Sequence, residues 1–259
     1  MNILVCVKQV PEAQAQVHID DDGRWVTLGA GTEFRMNRFD ECAVEAAVQI
    51  KEKVADTHIH ILTIGPQRAE TVIRRSVGMG ADDGTHMVTS DDGFVDPDTL
   101  ATWIAARPQA QSADLILCGA MSEDLMQGQV GPLLAAKLDL PSATSVIDIA
   151  FKPEAKSIQV DRELEGGYRQ TQVLKLPALV TIQTGINQPR YPALSKLLSA
   201  NRLSLEVLHT DQEEQPDTLL VMDKLMPPRK MRDAVFLEGA TQDKAEQLIT
   251  ILSDRSLLS

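Results

Sequence analysis

The segment between residues 118 and 138, CGAMSEDLMQGQVGPLLAAKL, has the composition of a loop that could bind a phosphate group. It follows the apolar run DLILC, typical of a buried strand, and leads into a helical pattern. The apolar face of that helix would consist of Val130, Leu133, Leu134 and Leu138. Backbone N–H groups at a helix N-terminus have no partner within the helix, and together with the helix dipole they favour an anion.

Two glycines strengthen the phosphate interpretation, because Gly128 and Gly131 would let the backbone approach a ligand closely. Pro132 suits the first turn, where its missing N–H costs nothing. The segment has neither a GxGxxG pattern nor a Walker lysine. On spacing alone, an ordinary junction between a loop and a helix is therefore favoured over a phosphate site.

The cysteines and histidines do not suggest catalysis or a metal site. Cys6, Cys42 and Cys118 are far apart and lack ligand spacing, and cysteines in strands are usually small core residues. The five histidines are scattered, with no triad partner in sight. We expect no catalytic residue and no metal ligand.

Alternating strand and helix signals in the first half predict a parallel sheet flanked by helices. NILVCV (2–7), HIHILTIG (58–65), GTHMVTS and DLILCG are strand-like. One helical pattern starts at Asp40, with Asn37 as a cap. A second is opened by Pro66 and closed by Gly78 and Gly80. A third lies in DPDTLATWIAA. Strands separated by helices form right-handed crossovers, and ligands bind beyond the carboxyl ends of such strands. The candidate loops are KQVPEA, IGPQ and the segment at 118–138.

The second half is rich in β signals and ends in a separate arm. SATSVIDIAF, SIQVDREL, YRQTQVLKL and ALVTIQT predict antiparallel hairpins. The polar stretch HTDQEEQPD predicts a linker, so we divide the chain into an α/β domain at 1–208 and a linker with an arm at 209–259. The arm ends in an amphipathic helix, TQDKAEQLITIL, whose apolar face must be covered by packing against another surface. Its own body could supply that cover, but we expect it to pack on a partner subunit.

Composition excludes several classes of protein. The net charge of −12 argues against general affinity for nucleic acid. No apolar run reaches the roughly 18 residues of a membrane span, and the first residues, MNILVCVKQVPEA, lack the basic lead of a signal peptide. A cytoplasmic protein without membrane insertion is the expectation.

Motifs along nearly the whole chain resemble the beta subunits of electron transfer flavoproteins. ILVCVKQVPEA is similar to the family's opening strand, RMNRFDECAVEAAVQIKE to its Asn-x-Phe-Asp segment, and GMGADDGTHM to its Met-Gly-Ala-Asp-x-Gly. The most specific part is VDRELEGGYRQTQVLKLPALVTIQTGINQPRYPALSKLLSA, which has the family's Arg-Glu, Leu-Pro-Ala, Thr and Asn-x-Pro-Arg-Tyr in order.

The resemblance implies an adenine-nucleotide-binding, Rossmann-like α/β subunit that pairs with an alpha subunit carrying the redox FAD. Such a heterodimer carries electrons from flavin dehydrogenases, such as acyl-CoA dehydrogenases, to a quinone reductase or another acceptor. The beta subunit holds AMP in simple carriers. In electron-bifurcating members, which use NADH as the donor, a second FAD occupies the same cleft. The chain would thus be an electron carrier, and an oxidoreductase only if it bifurcates electrons.

A universal-stress-type nucleotide-binding module is a remote alternative with the same α/β layout. It leaves the hairpins and the arm unexplained.

The resemblance also implies which residues bind the nucleotide, at the strand ends selected above. They are Cys6, Asn37, Arg38, Phe39, Asp40, Ile64, Asp124, Leu125, Met126, Gln127, Gly128, Gln129, Val130, Gly131, Pro132, Leu133, Leu134 and Ala135.

Three positions depart from the family pattern. Met126 stands where the family often has an acid, which removes one expected nucleotide contact. Val130 replaces the threonine that AMP-binding carriers tend to have, and QVGP resembles the bifurcating members. Arg169 lies near the position where relatives commonly have a glutamate close to the flavin.

The segment PRYPALSKLL (189–198) resembles the loop by which simple carriers anchor on a dehydrogenase. The implied docking residues are Arg190, Tyr191, Leu194 and Lys196, with Leu194 as the apolar anchor. The alternative is a helix start with Leu194, Leu197 and Leu198 in the core.

Overall fold

A computed structural model describes residues 1–90, 93–152, 156–213, 216–217, 220–227, 234 and 236–257. The chain divides into two compact units, Met1–Leu225 and Met226–Ser259. The predicted division into a domain at 1–208 and a linker with a partner-binding arm at 209–259 stays a prediction.

The strands of the first unit cover its whole length. They are β1 (Asn2–Cys6), β2 (Gln9–Pro11), β3 (Val17–Ile19), β4 (Val26–Leu28), β5 (Phe34–Met36), β6 (His58–Gly65), β7 (Asp83–Val88), β8 (Leu115–Gly119), β9 (Ser142–Lys152), β10 (Ser157–Glu163), β11 (Arg169–Lys175), β12 (Ala178–Ile182) and β13 (Glu206–His209).

The helices of the first unit mostly follow these strands as crossovers. They are α1 (Arg38–Lys53), α2 (Glu70–Met79), α3 (Pro97–Ala105), α4 (Pro108–Gln111), α5 (Val130–Lys137) and α6 (Leu194–Ala200). The second unit contains α7 (Thr241–Asp254).

Within the described residues, nine strands form one mixed sheet in the order β11-β10-β9-β12-β8-β1-β6-β7-β13. The strands from β9 through β12, β8, β1, β6 and β7 to β13 pair in parallel. β9, β10 and β11 pair antiparallel as consecutive hairpins. The predicted α/β class, with a parallel sheet, flanking helices and an antiparallel addition, is confirmed.

The expectation that ALVTIQT belongs to an antiparallel hairpin is wrong. This segment is β12, which pairs in parallel with β8 and β9 and is buried along its whole length. Its continuous apolar run is the pattern of a central parallel strand, whereas a hairpin strand with one solvated face alternates.

Side chains of the central strands alternate between two hydrophobic layers. In β1, Ile3 and Val5 pack in a layer with α1 and α2, while Leu4 packs in the other layer with α3 and α5. All three are at most 1% exposed, and full burial of such a side chain stabilises the fold by about 1.5–3 kcal/mol.

The predicted helix starts are near the observed ones, with two corrections. Asn37 is the N-cap of α1 but makes no side-chain cap hydrogen bond, because its amide bonds to another loop instead. Gly78 lies inside α2 rather than closing it. A Cβ at Gly78 would lie 2.9 Å from Cδ2 of Leu197, so this glycine lets α6 pack closely, and Gly80 (φ +139°) ends the helix.

Two small hairpins in the first unit were not predicted from the sequence. β2 pairs with β5 and β3 pairs with β4, both antiparallel, in the segment between β1 and α1. Each strand has only three residues, which is too short for alternation to be recognised.

The second unit confirms the predicted amphipathic helix, α7. Within this helix no residue is buried, and Leu248 and Ile249 are 47% and 58% exposed. In the described part of the chain, no helix is both long enough and apolar enough to span a membrane.

Candidate functional site

A cleft opens beyond the carboxyl ends of β1, β6 and β8, where the topology of a parallel sheet places ligands. The loop from β8 to α5 forms one part of its lining, and the start of α3 forms another. The lining residues are Cys6, Val7, Lys8, Asn37, Asp40, Leu62, Ile64, Val95, Pro97, Leu100, Ile104, Cys118, Gly119, Ala120, Met121, Ser122, Leu125, Gln127, Gly128, Gln129, Val130 and Gly131.

Asp40, in the first turn of α1, holds the floor of the cleft together. Its carboxylate accepts hydrogen bonds from the N–H of Lys8 at 2.8 Å and from the N–H of Gly119 at 2.9 Å. Burial raises the pKa of Asp40 to about 7, although the hydrogen bonds from Lys8, Asn37 and Gly119 oppose that increase. The side chain thus ties the end of β1 to the end of β8.

Asn37 fixes the loop that follows β8. Its amide nitrogen donates to the carbonyl of Met121 at 2.9 Å, and its amide oxygen accepts from the N–H of Glu123 at 3.1 Å. Asn37 is 1% exposed, so both bonds are shielded from water. The buried asparagine therefore acts as a clamp between α1 and this wall of the cleft.

Glu123 adds charged contacts to the same clamp. Its carboxylate lies 2.8 Å from Nη1 of Arg35 and accepts from the N–H of Arg38 at 3.1 Å. Partial burial raises the pKa of Glu123, but the Arg35 and Arg38 bonds outweigh it, and the net pKa lies below its usual range.

Lys8 provides a cation at the mouth of the cleft. Its Nζ lies 2.7 and 2.8 Å from the two carboxylate oxygens of Asp124 and 3.4 Å from Oγ of Ser122. The lysine side chain is 37% exposed, so an incoming anion can reach it. Asp124 thus orients a cation, and it also offsets that cation's charge.

The N-terminus of α5 supplies backbone donors beside this cation. The first N–H groups of α5 lack partners within the helix. Gly128 has φ +62°, and a Cβ there would lie 2.9 Å from the carbonyl oxygen of Ala120. A Cβ at Gly131 would lie 2.5 Å from Cγ2 of Thr181, so glycine allows α5 to approach β12. The loop geometry therefore depends on both glycines.

The structure brings ten of the predicted nucleotide residues to the cleft surface. They are Cys6, Asn37, Asp40, Ile64, Leu125, Gln127, Gly128, Gln129, Val130 and Gly131.

The other eight do not line the cleft. Arg38, Phe39, Asp124, Met126, Pro132, Leu133, Leu134 and Ala135 lie beside it or behind it. Leu134 and Ala135 are buried in the layer behind α5, which makes them supports of the wall. Met126 is 61% exposed and has φ +56°. The position where the family often has an acid therefore lies on the exposed outer part of the loop.

Sequence reasoning missed the lysine and the apolar wall. Lys8 stands in KQVPEA, a loop selected as a candidate, but no sequence signal links Lys8 to Asp124. Val95, Pro97, Leu100 and Ile104 reach the cleft because α3 packs against α5. Only the folded arrangement shows that contact.

Cys6 and Cys118 are register partners on adjacent strands, and both line the cleft. A hydrogen bond with Cys6, together with burial, raises the pKa of the Cys118 thiol well above its usual range. A thiol in this state is a poor nucleophile, since the thiolate is the reactive form.

Away from the cleft, Arg190 holds the loop that precedes α6. Its Nε and Nη2 lie 2.8 and 2.9 Å from the two carboxylate oxygens of Glu45, and Nη1 lies 2.7 Å from Glu52. Burial raises the pKa of Glu45, but the Arg190 bonds outweigh it and the net pKa is lowered. Arg190 therefore shapes this loop through contacts inside the chain.

The side chains that follow are turned toward solvent. Tyr191, Leu194 and Leu198 are 82%, 73% and 54% exposed, and Lys196 is exposed as well. Leu197 instead packs on Gly78 of α2. The loop thus presents an apolar patch made of Tyr191, Leu194 and Leu198.

Comparisons with known proteins agree with this architecture. A family model described as the electron transfer flavoprotein domain matches residues 24–209. The electron transfer flavoprotein subunit beta of Megasphaera elsdenii is 38% identical, over 78% of this chain and 76% of the relative. The protein of the same name from Thermoanaerobacterium thermosaccharolyticum is 34% identical over the whole of both chains. The one from Homo sapiens is 32% identical over 80% of this chain and 81% of the relative. By its fold, its motifs and these matches along its length, the chain belongs to the electron transfer flavoprotein beta-subunit family.

Proposed function

We propose that this chain is the beta subunit of a heterodimeric electron carrier and that its cleft binds the adenylate part of a nucleotide. The observation that carries this proposal is the cleft beyond β1, β6 and β8, which combines helix N–H groups, the glycine-containing loop before α5 and Lys8. Those groups suit a phosphate, while the apolar wall at Ile64, Leu100 and Ile104 suits an adenine ring.

The chemistry of electron transfer would come from FAD, shared with or carried by an alpha subunit. In this proposal the beta chain supplies binding and placement. Asp40 and Asn37 hold the cleft walls at fixed positions through buried hydrogen bonds. A cleft built this way would hold its nucleotide as a structural element. AMP in such a role requires no catalytic side chain nearby. The heterodimer would accept electrons from a flavin dehydrogenase of the acyl-CoA dehydrogenase type and pass them to a quinone reductase.

The exposed apolar patch at Tyr191, Leu194 and Leu198 is the proposed dehydrogenase-docking surface. Its three residues are apolar, and the exposed Lys196 follows Leu194 by two positions, a combination that suits a binding hot spot with a polar rim. The Arg190–Glu45 pair would support docking by fixing the loop before it is engaged.

One observation favours a second candidate function, an electron-bifurcating subunit with FAD in this cleft and NADH as donor. Val130 lines the cleft at the start of α5 and offers no hydroxyl to a phosphate. Val95 and Leu100 extend the opposite wall with apolar surface. A second flavin has more apolar surface to bury than AMP has, so it would use this wall more fully.

Co-expression with an alpha subunit from the same genome tests the proposed function. The expected result is a stable one-to-one complex that is yellow with bound FAD, and whose flavin is reduced by an acyl-CoA dehydrogenase and its substrate. A chain that remains alone and colourless contradicts the proposal. Flavin reduction by NADH with a second FAD per complex would select the bifurcating candidate.

A further inference from the structure

Two imidazoles and a carboxylate meet at the amino-terminal ends of β6 and β7. The cleft lies at the opposite, carboxyl ends of the strands. His58 and His60 are two residues apart on β6, so they share one face, and Asp83 is the register partner of His60. Nε2 of His58 lies 3.2 Å from Oδ2 of Asp83, and Nδ1 of His60 lies 2.5 Å from Oδ1.

The spacing of these groups is close to that of a metal centre. One ligand atom from each residue lies within 4.8 Å of the other two. Zinc bonds of about 2.0–2.1 Å place tetrahedral ligand atoms roughly 3.3 Å apart. Small side-chain rotations therefore bring all three atoms to bonding distance of one ion. His58 and Asp83 are 50% and 43% exposed and have room to make them, whereas His60 is only 13% exposed.

Hydrogen bonds on the other side of the His60 ring determine which of its two nitrogens carries the proton. The hydroxyl of Thr85 donates its only proton to Oε2 of Glu206 at 2.6 Å. The hydroxyl oxygen must then accept from Nε2 of His60, which lies 2.9 Å away. If Nε2 carries the proton of the neutral ring, Nδ1 presents a lone pair to the Asp83 carboxylate. A metal ion bound by both atoms would make that contact favourable.

The chain from His60 through Thr85 to Glu206 is the kind of support that metal-binding histidines have. A ligating histidine commonly donates its other ring N–H to an oxygen acceptor, which fixes the tautomer and the ring orientation. Gln109 also donates to Oε2 of Glu206, at 3.1 Å, and so fixes the end of this chain.

The surroundings are acidic and open to solvent on one side. Asp82 lies 3.7 Å from Nδ1 of His58 and is paired with Lys51 at 2.5 Å. A surface cavity adjoins the three ligands, and a fourth coordination position could open into it. Its lining residues are Asn2, Ile3, His58, His60, Asp83, Gly84, Gln109, Ser112, Ser204 and Glu206.

We propose that His58, His60 and Asp83 form a binding site for a divalent transition metal of the zinc class. Two imidazoles and one carboxylate are a ligand set that Zn²⁺ prefers, with a fourth position left for water or a small anion. The ion would join the first residues of two adjacent strands. Because the unfolded chain does not hold these ligands together, bound metal would stabilise the folded state.

The test is calorimetric titration of the chelator-treated, full-length chain with ZnCl₂, with thermal unfolding followed in parallel. We expect one Zn²⁺ per chain and a higher unfolding temperature in its presence. His58→Ala and His60→Ala should each weaken binding by about 100-fold or more. Thr85→Val, which removes only the support of His60, should weaken it by about 10- to 100-fold. His18→Ala, at an exposed histidine outside the cluster, is the matched control and should bind as the wild type does.

Absence of stoichiometric zinc binding by the wild-type chain overturns the proposal and leaves an ordinary cluster of side chains joined by hydrogen bonds. Equal binding by the wild type and both cluster variants overturns it too, because it assigns the zinc to other residues. His58 is half-exposed, so His58→Ala keeps the test valid if the more buried His60 cannot be replaced without unfolding. The nucleotide content of the chain does not enter either outcome, so this test is independent of the proposed function.

Discussion

The carboxylate of Asp40 accepts a hydrogen bond from the N–H of Gly119 at 2.9 Å, which joins the start of α1 to the end of the central strand β8. The other carboxylate oxygen accepts from Lys8 at the end of β1. One buried acid thus sets the distance between the two strand ends that form the floor of the cleft.

Gly119→Ala should destabilise the fold at this junction. A Cβ at residue 119 would overlap with the Asp40 carboxylate and lie 2.6 Å from Cβ of Phe39. We expect a loss of about 1–3 kcal/mol in the free energy of unfolding, the usual cost of overpacking, measured by urea denaturation. Gly29→Ala is the control, since its Cβ would come no closer than 3.2 Å to any atom, the nearest being Cβ of Gln16. Equal effects of the two substitutions would contradict this role of Gly119.

Asp40→Asn should change how stability depends on pH. Because burial raises the pKa of Asp40 to about 7, the folded chain keeps this proton at pH values where the unfolded chain, with a carboxyl pKa near 3.8, has lost it. The contribution of Asp40 to stability therefore falls as the pH rises from about 4 to about 7 and is constant above that.

The amide in Asp40→Asn cannot titrate and leaves one backbone N–H without an acceptor, which costs about 1–3 kcal/mol. Urea unfolding of both proteins at pH 5 and pH 8 measures the effect. The wild type should lose more stability than the variant between these two pH values. Parallel pH profiles would show that Asp40 has an ordinary pKa.

Gly128→Ala should weaken nucleotide binding while the chain still folds. The positive φ costs about 1–2 kcal/mol for an alanine, and the Cβ would lie 2.9 Å from the carbonyl of Ala120, so the loop must move. We expect about tenfold weaker binding of AMP, measured by calorimetry on the nucleotide-stripped protein. Gly31→Ala is the matched control, with φ +84° and no atom within 4 Å of its Cβ. Unchanged affinity in Gly128→Ala would remove this loop from the binding site.

Arg190→Ala should cost about 2–3 kcal/mol of folding stability. It leaves Glu45, which is 3% exposed, without its bidentate partner. The cost is below the range of fully buried pairs because Arg190 is 35% exposed. Arg38→Ala, at a side chain that is 69% exposed, should cost less than about 1 kcal/mol.

Because the net pKa of Glu45 is lowered, the difference in folding stability between wild type and Arg190→Ala should shrink as the pH falls below about 4.5. A cost as small as that of Arg38→Ala would refute this role.

Leu194→Ala should slow electron transfer from the cognate dehydrogenase and leave the flavin content intact. Truncating an exposed anchor worth about 2 kcal/mol should lower kcat/KM for the dehydrogenase–carrier reaction by about 30-fold. Val17→Ala, another exposed apolar position, should have no effect. Identical rates for Leu194→Ala and wild type would show that the patch does not dock.

The sequence predicted those parts of the fold that depend on local pattern. The runs NILVCV and DLILC became β1 and β8 because continuous apolar segments suit strands buried on both faces. The cleft residues from Gly128 to Gly131 were selected because glycines and a helix start mark an anion site locally, whereas Leu125 and Gln127 were implied only by the family resemblance. The pairing of β12 was missed, since parallel and antiparallel partners cannot be distinguished from one apolar run.

What the sequence could not predict depends on contacts between distant residues. Lys8 and Asp124 are 116 positions apart, and Asn37 meets Met121 across 84 positions. Asn37 shows the limit of local rules most clearly. Its type suits a helix cap, but the folded chain uses its amide to hold a loop instead.

The most direct test of the central claim is to count the adenine nucleotides released by denaturing the purified alpha–beta complex, using chromatography against FAD and AMP standards. The account predicts two adenine nucleotides per complex: one FAD plus one AMP for the carrier, or two FAD for the bifurcating form. A single FAD per complex, with no second nucleotide in wild type and no change in Gly128→Ala, would contradict it.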